Sequence, residues 1–141
     1  PLTQAQREYW THPNYNNELN KLEQAFDNDL PDYWPRFMEE MNIKEGTVSW
    51  TNIAPGNVVP VHTDKFYKLR KKYNVTEDEC IRYLMFLQDW ELGQMVEFEE
   101  KILTRWKKGD VWSFGIDDSH CAANATQDNF ITCQINTFER K

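Results

Sequence analysis

The chain has 141 residues, enough for one domain, spanning 1–141, that encloses a real core. It carries 23 acidic against 16 basic residues, a net charge of −7, which argues against nucleic acid or an anionic membrane as a partner. Three cysteines, Cys80, Cys121 and Cys133, are too sparse for a disulfide framework and point to reduced thiols in a cytoplasmic setting. No apolar run approaches the roughly 18 residues that cross a bilayer, and no signal-peptide pattern is present. The start at Pro1 rather than Met reads as a trimmed beginning without targeting information. Six Trp, six Tyr and eight Phe are more than so small a domain buries fully, so some should line a groove or pocket.

In chain order, Thr3 and Gln6 fit a capping box, which predicts a short helix to about Trp10. Residues 12–17 read as loop. Leu19, Leu22 and Phe26 then fall at helical spacing and predict an amphipathic helix over 18–28, stopped by Pro31. A further short helix after Asp32 would carry Trp34, Phe37, Met38 and Met41. Residues 1–45 thus read as a helical support segment. From Gly46 the character changes. Residues 47–53 read as a strand, 54–57 as a turn, and Val58 to His62 as the next strand. A basic run over 65–73 reads as a helical insert, followed by a second capping-box pattern at Thr76 to Glu79. Strands are expected at 81–87, 95–98, 102–106 and 111–114. Residues 130–138 alternate almost perfectly and close the set. About eight short strands behind a helical lead-in predict a mainly β fold over 46–141, a jelly roll able to hold a small ligand between two sheets.

The chemistry concentrates at His62-Thr63-Asp64, where a β-branched strand ends. A histidine and a carboxylate two positions apart project from the same side of an extended chain and can serve one ion. The next histidine is His120, behind Asp117-Asp118-Ser119. Two histidines and one carboxylate on one face of a metal, the other positions open, is the set used by non-haem Fe(II) oxygenases. The bland alternative makes His62 a strand-end residue and His120 a surface loop residue. His12, in a Pro/Asn loop, reads as solvent-exposed. Lys65, Lys68, Arg70, Lys71 and Lys72 form either a solvated helix face or a lid that attracts an acidic substrate.

From His62 to Phe138 the chain resembles the Fe(II)- and 2-oxoglutarate-dependent dioxygenases, with a nearer likeness to prolyl and aspartyl/asparaginyl hydroxylase-type members. The resemblance rests on His62-Thr63-Asp64, Arg82 to Leu87 with Asp89-Trp90, Gly109 to Phe114, His120 and the closing strand. It implies a double-stranded β-helix with Fe(II) held by His62, Asp64 and His120. It also implies 2-oxoglutarate and O2 as cosubstrates, decarboxylation of 2-oxoglutarate to succinate, and hydroxylation of an amino-acid side chain in an amino acid, peptide or protein. The family needs a cation for the far carboxylate of 2-oxoglutarate, usually shortly after the second histidine. Asn129 and Phe130 stand at those positions here. Arg82, sharing a strand face with Leu84 and Phe86, is the substitute; its bland reading is an exposed residue paired with Glu77 or Asp78. Thr132 and Gln134, on the face of Phe130, could hydrogen-bond the same carboxylate, and Asn124 and Trp112 could sit near the ion. Two alternatives stand beside this reading: a cupin-type metalloenzyme that does not use 2-oxoglutarate, and a non-enzymatic jelly-roll binding module.

Overall fold

The computed structural model describes residues 20–25, 32, 34–99 and 101–140. The helix expected over 3–10, the loop over 12–17 and His12 lie outside them. The described elements are β1 (Asn20–Ala25), α1 (Trp34–Glu40), β2 (Gly46–Ile53), β3 (Asn57–His62), α2 (Tyr67–Tyr73), a 3-10 turn (Glu77–Glu79), β4 (Cys80–Phe86), β5 (Gln94–Phe98), β6 (Lys101–Leu103), β7 (Val111–Phe114), β8 (His120–Asn124) and β9 (Phe130–Phe138). The strands form two antiparallel sheets, one in the order β1-β2-β9-β4-β7 and the other β3-β8-β5-β6. This is the expected jelly roll. No helix among the described residues is long and apolar enough to cross a membrane.

Alternation sorts the residues. On β9 and β4, Phe130, Leu84 and Phe86 face the second sheet and join Ile53, Val96, Leu103, Trp106 and Phe114 in the inter-sheet core. Phe86, Trp106 and Phe130 stack there, with Phe86 and Trp106 centroids 4.0 Å apart. The opposite parity, Cys133 and Ile135 with Val48, faces outward and is covered by Trp34 of α1 and by Ile43. A third cluster, Phe66, Leu69, Val75, Cys80 and Ile116, seats α2. The Thr76 capping box forms as expected, the Glu79 carboxylate accepting the Thr76 N–H at 2.8 Å.

Four expectations are corrected. Residues 20–25, predicted helical, form β1 and pair in register with β2, Leu22 opposite Thr51. Three apolar residues at helical spacing are a weak local signal, and an open sheet edge offers the same backbone a full ladder of hydrogen bonds. The sheet therefore begins before Gly46, and residues 1–45 are not wholly helical. The strand expected over 102–106 stops at Leu103. Arg105 takes a left-handed backbone (φ 59) that turns Trp106 into the core. Finally, β8 was not expected as a strand, because His-Cys-Ala-Ala-Asn lacks β-branched residues.

Candidate metal centre

The triad is assembled by one strand pair. On β3, Val59 pairs with Ala122 of β8, yet His62 pairs with His120, so β3 carries one extra residue across this step. The bulge falls at Pro60-Val61, where proline has no ladder N–H to lose. It turns Val61 out to solvent and brings His62 opposite His120, ring centroids 4.3 Å apart. The chain then leaves the strand, and the Asp64 carboxylate faces the Nε2 atoms of both rings. Asp64 Oδ1 lies 4.0 Å from His62 Nε2, and Asp64 Oδ2 lies 3.3 Å from His120 Nε2.

Each imidazole is oriented from behind. His62 Nδ1 lies 2.8 Å from the Pro60 carbonyl, and His120 Nδ1 lies 3.0 Å from the Asp118 carbonyl. A carbonyl only accepts, so each Nδ1 carries the proton and each Nε2 turns a lone pair into the site. The Asp118 carboxylate accepts the Gly115 N–H at 2.7 Å and shapes the turn before His120 rather than supplying a ligand. Phe98 and Phe114 pack against the His120 ring at 5.6 and 4.7 Å.

Burial first, and then the neighbouring His120, pushes His62 down to about 4, so it is neutral at physiological pH. Burial pushes the Asp64 carboxyl the other way, but the Arg82 guanidinium and His120 outweigh it and hold the group well below the usual carboxylate range. Arg82 enters from β4. Its Nη1 is 2.6 Å from Asp64 Oδ2, its Nε donates to Asn136 Oδ1 at 2.7 Å, and its guanidinium lies over the rings of Phe66 and Phe114. Arg82 therefore points inward, toward Asp64 rather than toward Glu77 or Asp78; Glu77 pairs with Arg70.

These residues fit a metal ion. One ligand atom from each of His62, Asp64 and His120 lies within 4.8 Å of the others. An ion with bonds of about 2.1 Å places adjacent ligands about 3 Å apart, so a small inward closure suffices. Asp64 Oδ2 is buried and accepts no well-angled hydrogen bond. Besides its ion pair with Arg82, it faces His120 Nε2 at 3.3 Å, a separation that either a proton on Nε2 or a metal ion between the two atoms satisfies.

The other sequence-derived residues fall elsewhere. Thr132 and Gln134 do face the interior, as their parity requires, but they hydrogen-bond each other at 2.6 Å, and Thr51 donates to Gln134 at 3.1 Å. Their ladder partners on β4 are Phe86 and Leu84, whereas Asn136 is opposite Arg82. Gln134 is thus one inward step, about 7 Å, from the Arg82 level, and Thr132 two steps. Asn124 is at the far end of β8. It ties that end together by donating to the Ile53 and Asp128 carbonyls. Trp112 lies on the edge strand with the Lys101 ammonium 4.2 Å from its ring centre. Phe130 is fully buried in the aromatic stack, and Asn129 contributes a carbonyl to Gln88. The residue that sequence reading missed is Asn136. Extending the Thr132, Gln134 alternation by one step would have found it.

No protein-family model matches this sequence, and no curated protein does. Solved structures do match in shape. The cupin domain of an XRE family transcriptional regulator from Enterobacter cloacae superposes with a TM-score of 0.55 at 12% identity, covering 86% of this chain and 99% of that one. The plu4264 protein from Photorhabdus luminescens gives 0.54 at 10% identity, over 86% and 77% of the two chains. The cupin domain of Cnp3 from Schizosaccharomyces pombe gives 0.53 at 12% identity, over 89% and 67%. At these identities the likeness is one of fold. This chain therefore carries the cupin fold, a double-stranded β-helix, with a His-Asp-His group able to bind a metal at one end of the barrel.

Proposed function

We propose that this protein is an Fe(II)- and 2-oxoglutarate-dependent oxygenase that hydroxylates an amino-acid side chain, in a peptide, a protein or a free amino acid. The observation that carries the reading is the convergence of two imidazole lone pairs and one carboxylate on a single point, with backbone carbonyls fixing both rings. That donor set leaves adjacent coordination positions open, which is what a chelating cosubstrate and O2 require. Iron held there supplies the redox chemistry for activating O2, with 2-oxoglutarate as the source of electrons.

The chain's own residues do the rest. His62 stays a neutral ligand, His120 turns its Nε2 toward the same point, and Asp64 supplies the charge. Arg82 holds Asp64 in place and, with Nη1 and Nε engaged, keeps Nη2 for a ligand carboxylate. Phe98 and Phe114 exclude water from the His120 flank. A divalent ion together with Arg82 outweighs the single Asp64 carboxylate by two charges, and uncompensated buried charge costs several kcal/mol. A dianion such as 2-oxoglutarate closes that balance.

One observation favours the second reading, a cupin-type metalloenzyme that does not use 2-oxoglutarate. Arg82 is already committed to Asp64 and Asn136, and no cation stands at Asn129 or Phe130. Anaerobic titration with Fe(II) and then 2-oxoglutarate separates the two. The first reading predicts a weak visible charge-transfer band on adding 2-oxoglutarate, lost in Arg82→Ala. Iron binding without that band selects the second.

A further inference from the structure

We propose that Arg82 restrains the metal centre by competing with the metal ion for Asp64, so that a divalent ion and a small carboxylate anion bind cooperatively. This rests on reading His62, Asp64 and His120 as a metal centre, and it holds for either chemistry proposed there.

The competition is for one atom. Asp64 Oδ2 lies 2.6 Å from Arg82 Nη1 and 3.3 Å from His120 Nε2. An ion held by Oδ2 and Nε2 therefore shares this oxygen with the guanidinium. The other oxygen, Oδ1, is farther from its imidazole, 4.0 Å from His62 Nε2. The side chains of His62, Asp64, Arg82 and His120 are only 11–17% exposed, so little water screens the charges there from one another. A buried carboxylate paired with one guanidinium is balanced, and a divalent ion added to that pair is not.

Arg82 is built to stay when the metal arrives. Its Nε donates to Asn136 Oδ1 at 2.7 Å, and Asn136 Nδ2 donates to Thr47 Oγ1 at 3.2 Å, with Asn136 and Thr47 both buried. The guanidinium lies 5.1 Å from the Phe66 ring centre and 5.9 Å from that of Phe114, and Phe114 also packs against His120. One ring thus backs both the competitor and a ligand. The excess positive charge must then be met by an incoming anion. With Nη1 and Nε engaged, the guanidinium still has the N–H groups of Nη2 for a second carboxylate. An anion that reaches both the ion and Nη2 offsets both charges, and the linkage is reciprocal. A purely structural ion pair, tying β4 to the chain after β3, predicts the reverse: losing Arg82 would loosen Asp64 and weaken metal binding.

The test is titration with Co(II), followed by visible absorption, with and without succinate, a dicarboxylate that lacks a keto group. Succinate in solution draws Co(II) away from the protein, so tighter binding cannot come from the reagent itself. In the wild type, saturating succinate should tighten Co(II) binding about fivefold or more, and the neutral succinamide should change it less than about twofold. Arg82→Met keeps an apolar stem beside the two rings. Without succinate it should bind Co(II) more tightly than the wild type does, and it should respond to succinate less than about twofold. Arg82→Lys keeps the charge and should keep the response. With the wild type it decides the question if Arg82→Met fails to fold by circular dichroism. The proposal is overturned, while the metal centre stands, by a wild type whose Co(II) binding succinate does not tighten. A folded Arg82→Met that binds Co(II) more weakly or keeps the response also overturns it, as does an Arg82→Lys that loses the response. A wild type that takes up no Co(II), with or without succinate, overturns the metal reading and this inference together.

Discussion

The two ends of the barrel are built from the same strands and have opposite characters. At one end Phe86, Trp106 and Phe130 stack between the sheets in a largely apolar core. At the other, the same faces of β2, β4 and β9 carry Thr47, Arg82 and Asn136, with His62, Asp64 and His120 opposite. Both ends are buried, but in different ways. The apolar end is held by surface removed from water, which does not depend on pH or ions. The polar end is held by hydrogen bonds and one charge pair, and it gains most from a ligand. One end is a packed apolar core, and the other gathers the His-Asp-His group that could hold a metal ion.

Breaking each end should give a different signature. The largest effect is expected at the apolar end. Phe86→Ala should lower unfolding free energy by about 3–5 kcal/mol, read from the denaturant midpoint, while the folded fraction still binds metal. Acid should act on the polar end. His62 takes a proton in the unfolded chain below its ordinary value of 6.5 but resists it in the folded state down to about 4. Stability of the metal-free protein should therefore be full above about pH 6.5 and fall by on the order of 2–3 kcal/mol toward pH 4. Asp64 adds to the loss below its ordinary value of 3.8, since its folded form resists protonation. A His62→Gln variant should show a flatter pH–stability curve between pH 7 and 4. Next, His120→Ala should weaken Co(II) binding more than the roughly 10–100-fold typical of losing an outer partner, with a circular dichroism spectrum close to wild type. The smallest effect is expected from Asn136→Ala. Loss of the hydrogen bond to Arg82 should weaken metal binding up to about tenfold and cost about 1 kcal/mol of stability.

How far the sequence reached follows the same division. Phe130–Phe138 was legible because its alternation and its β-branched residues agree, and most of Cys80–Phe86 was legible as a short, largely apolar run over 81–87. His62-x-Asp64 was legible as a pair, and His120 by elimination among three histidines. What the sequence did not carry was tertiary. Asn20–Ala25 becomes a strand only because β2 presents an open edge. His120–Asn124 is a strand only because β3 and β5 flank it. The bulge at Pro60, which lets His62 meet His120, is a matter of register, and no single residue spells it. Arg82 was singled out as a charge in an apolar strand, but its partner, Asp64, became visible only when β3 and β4 came together.

The most direct measurement is titration of the purified protein with Co(II), followed by visible absorption, in the wild type and in His62→Ala and His120→Ala. Stoichiometric uptake with visible d–d bands in the wild type, lost in both variants while each remains folded, is the predicted result. Failure of the folded wild type to take up one equivalent, or uptake undiminished in either variant, would contradict the assignment of His62, Asp64 and His120 as a metal centre.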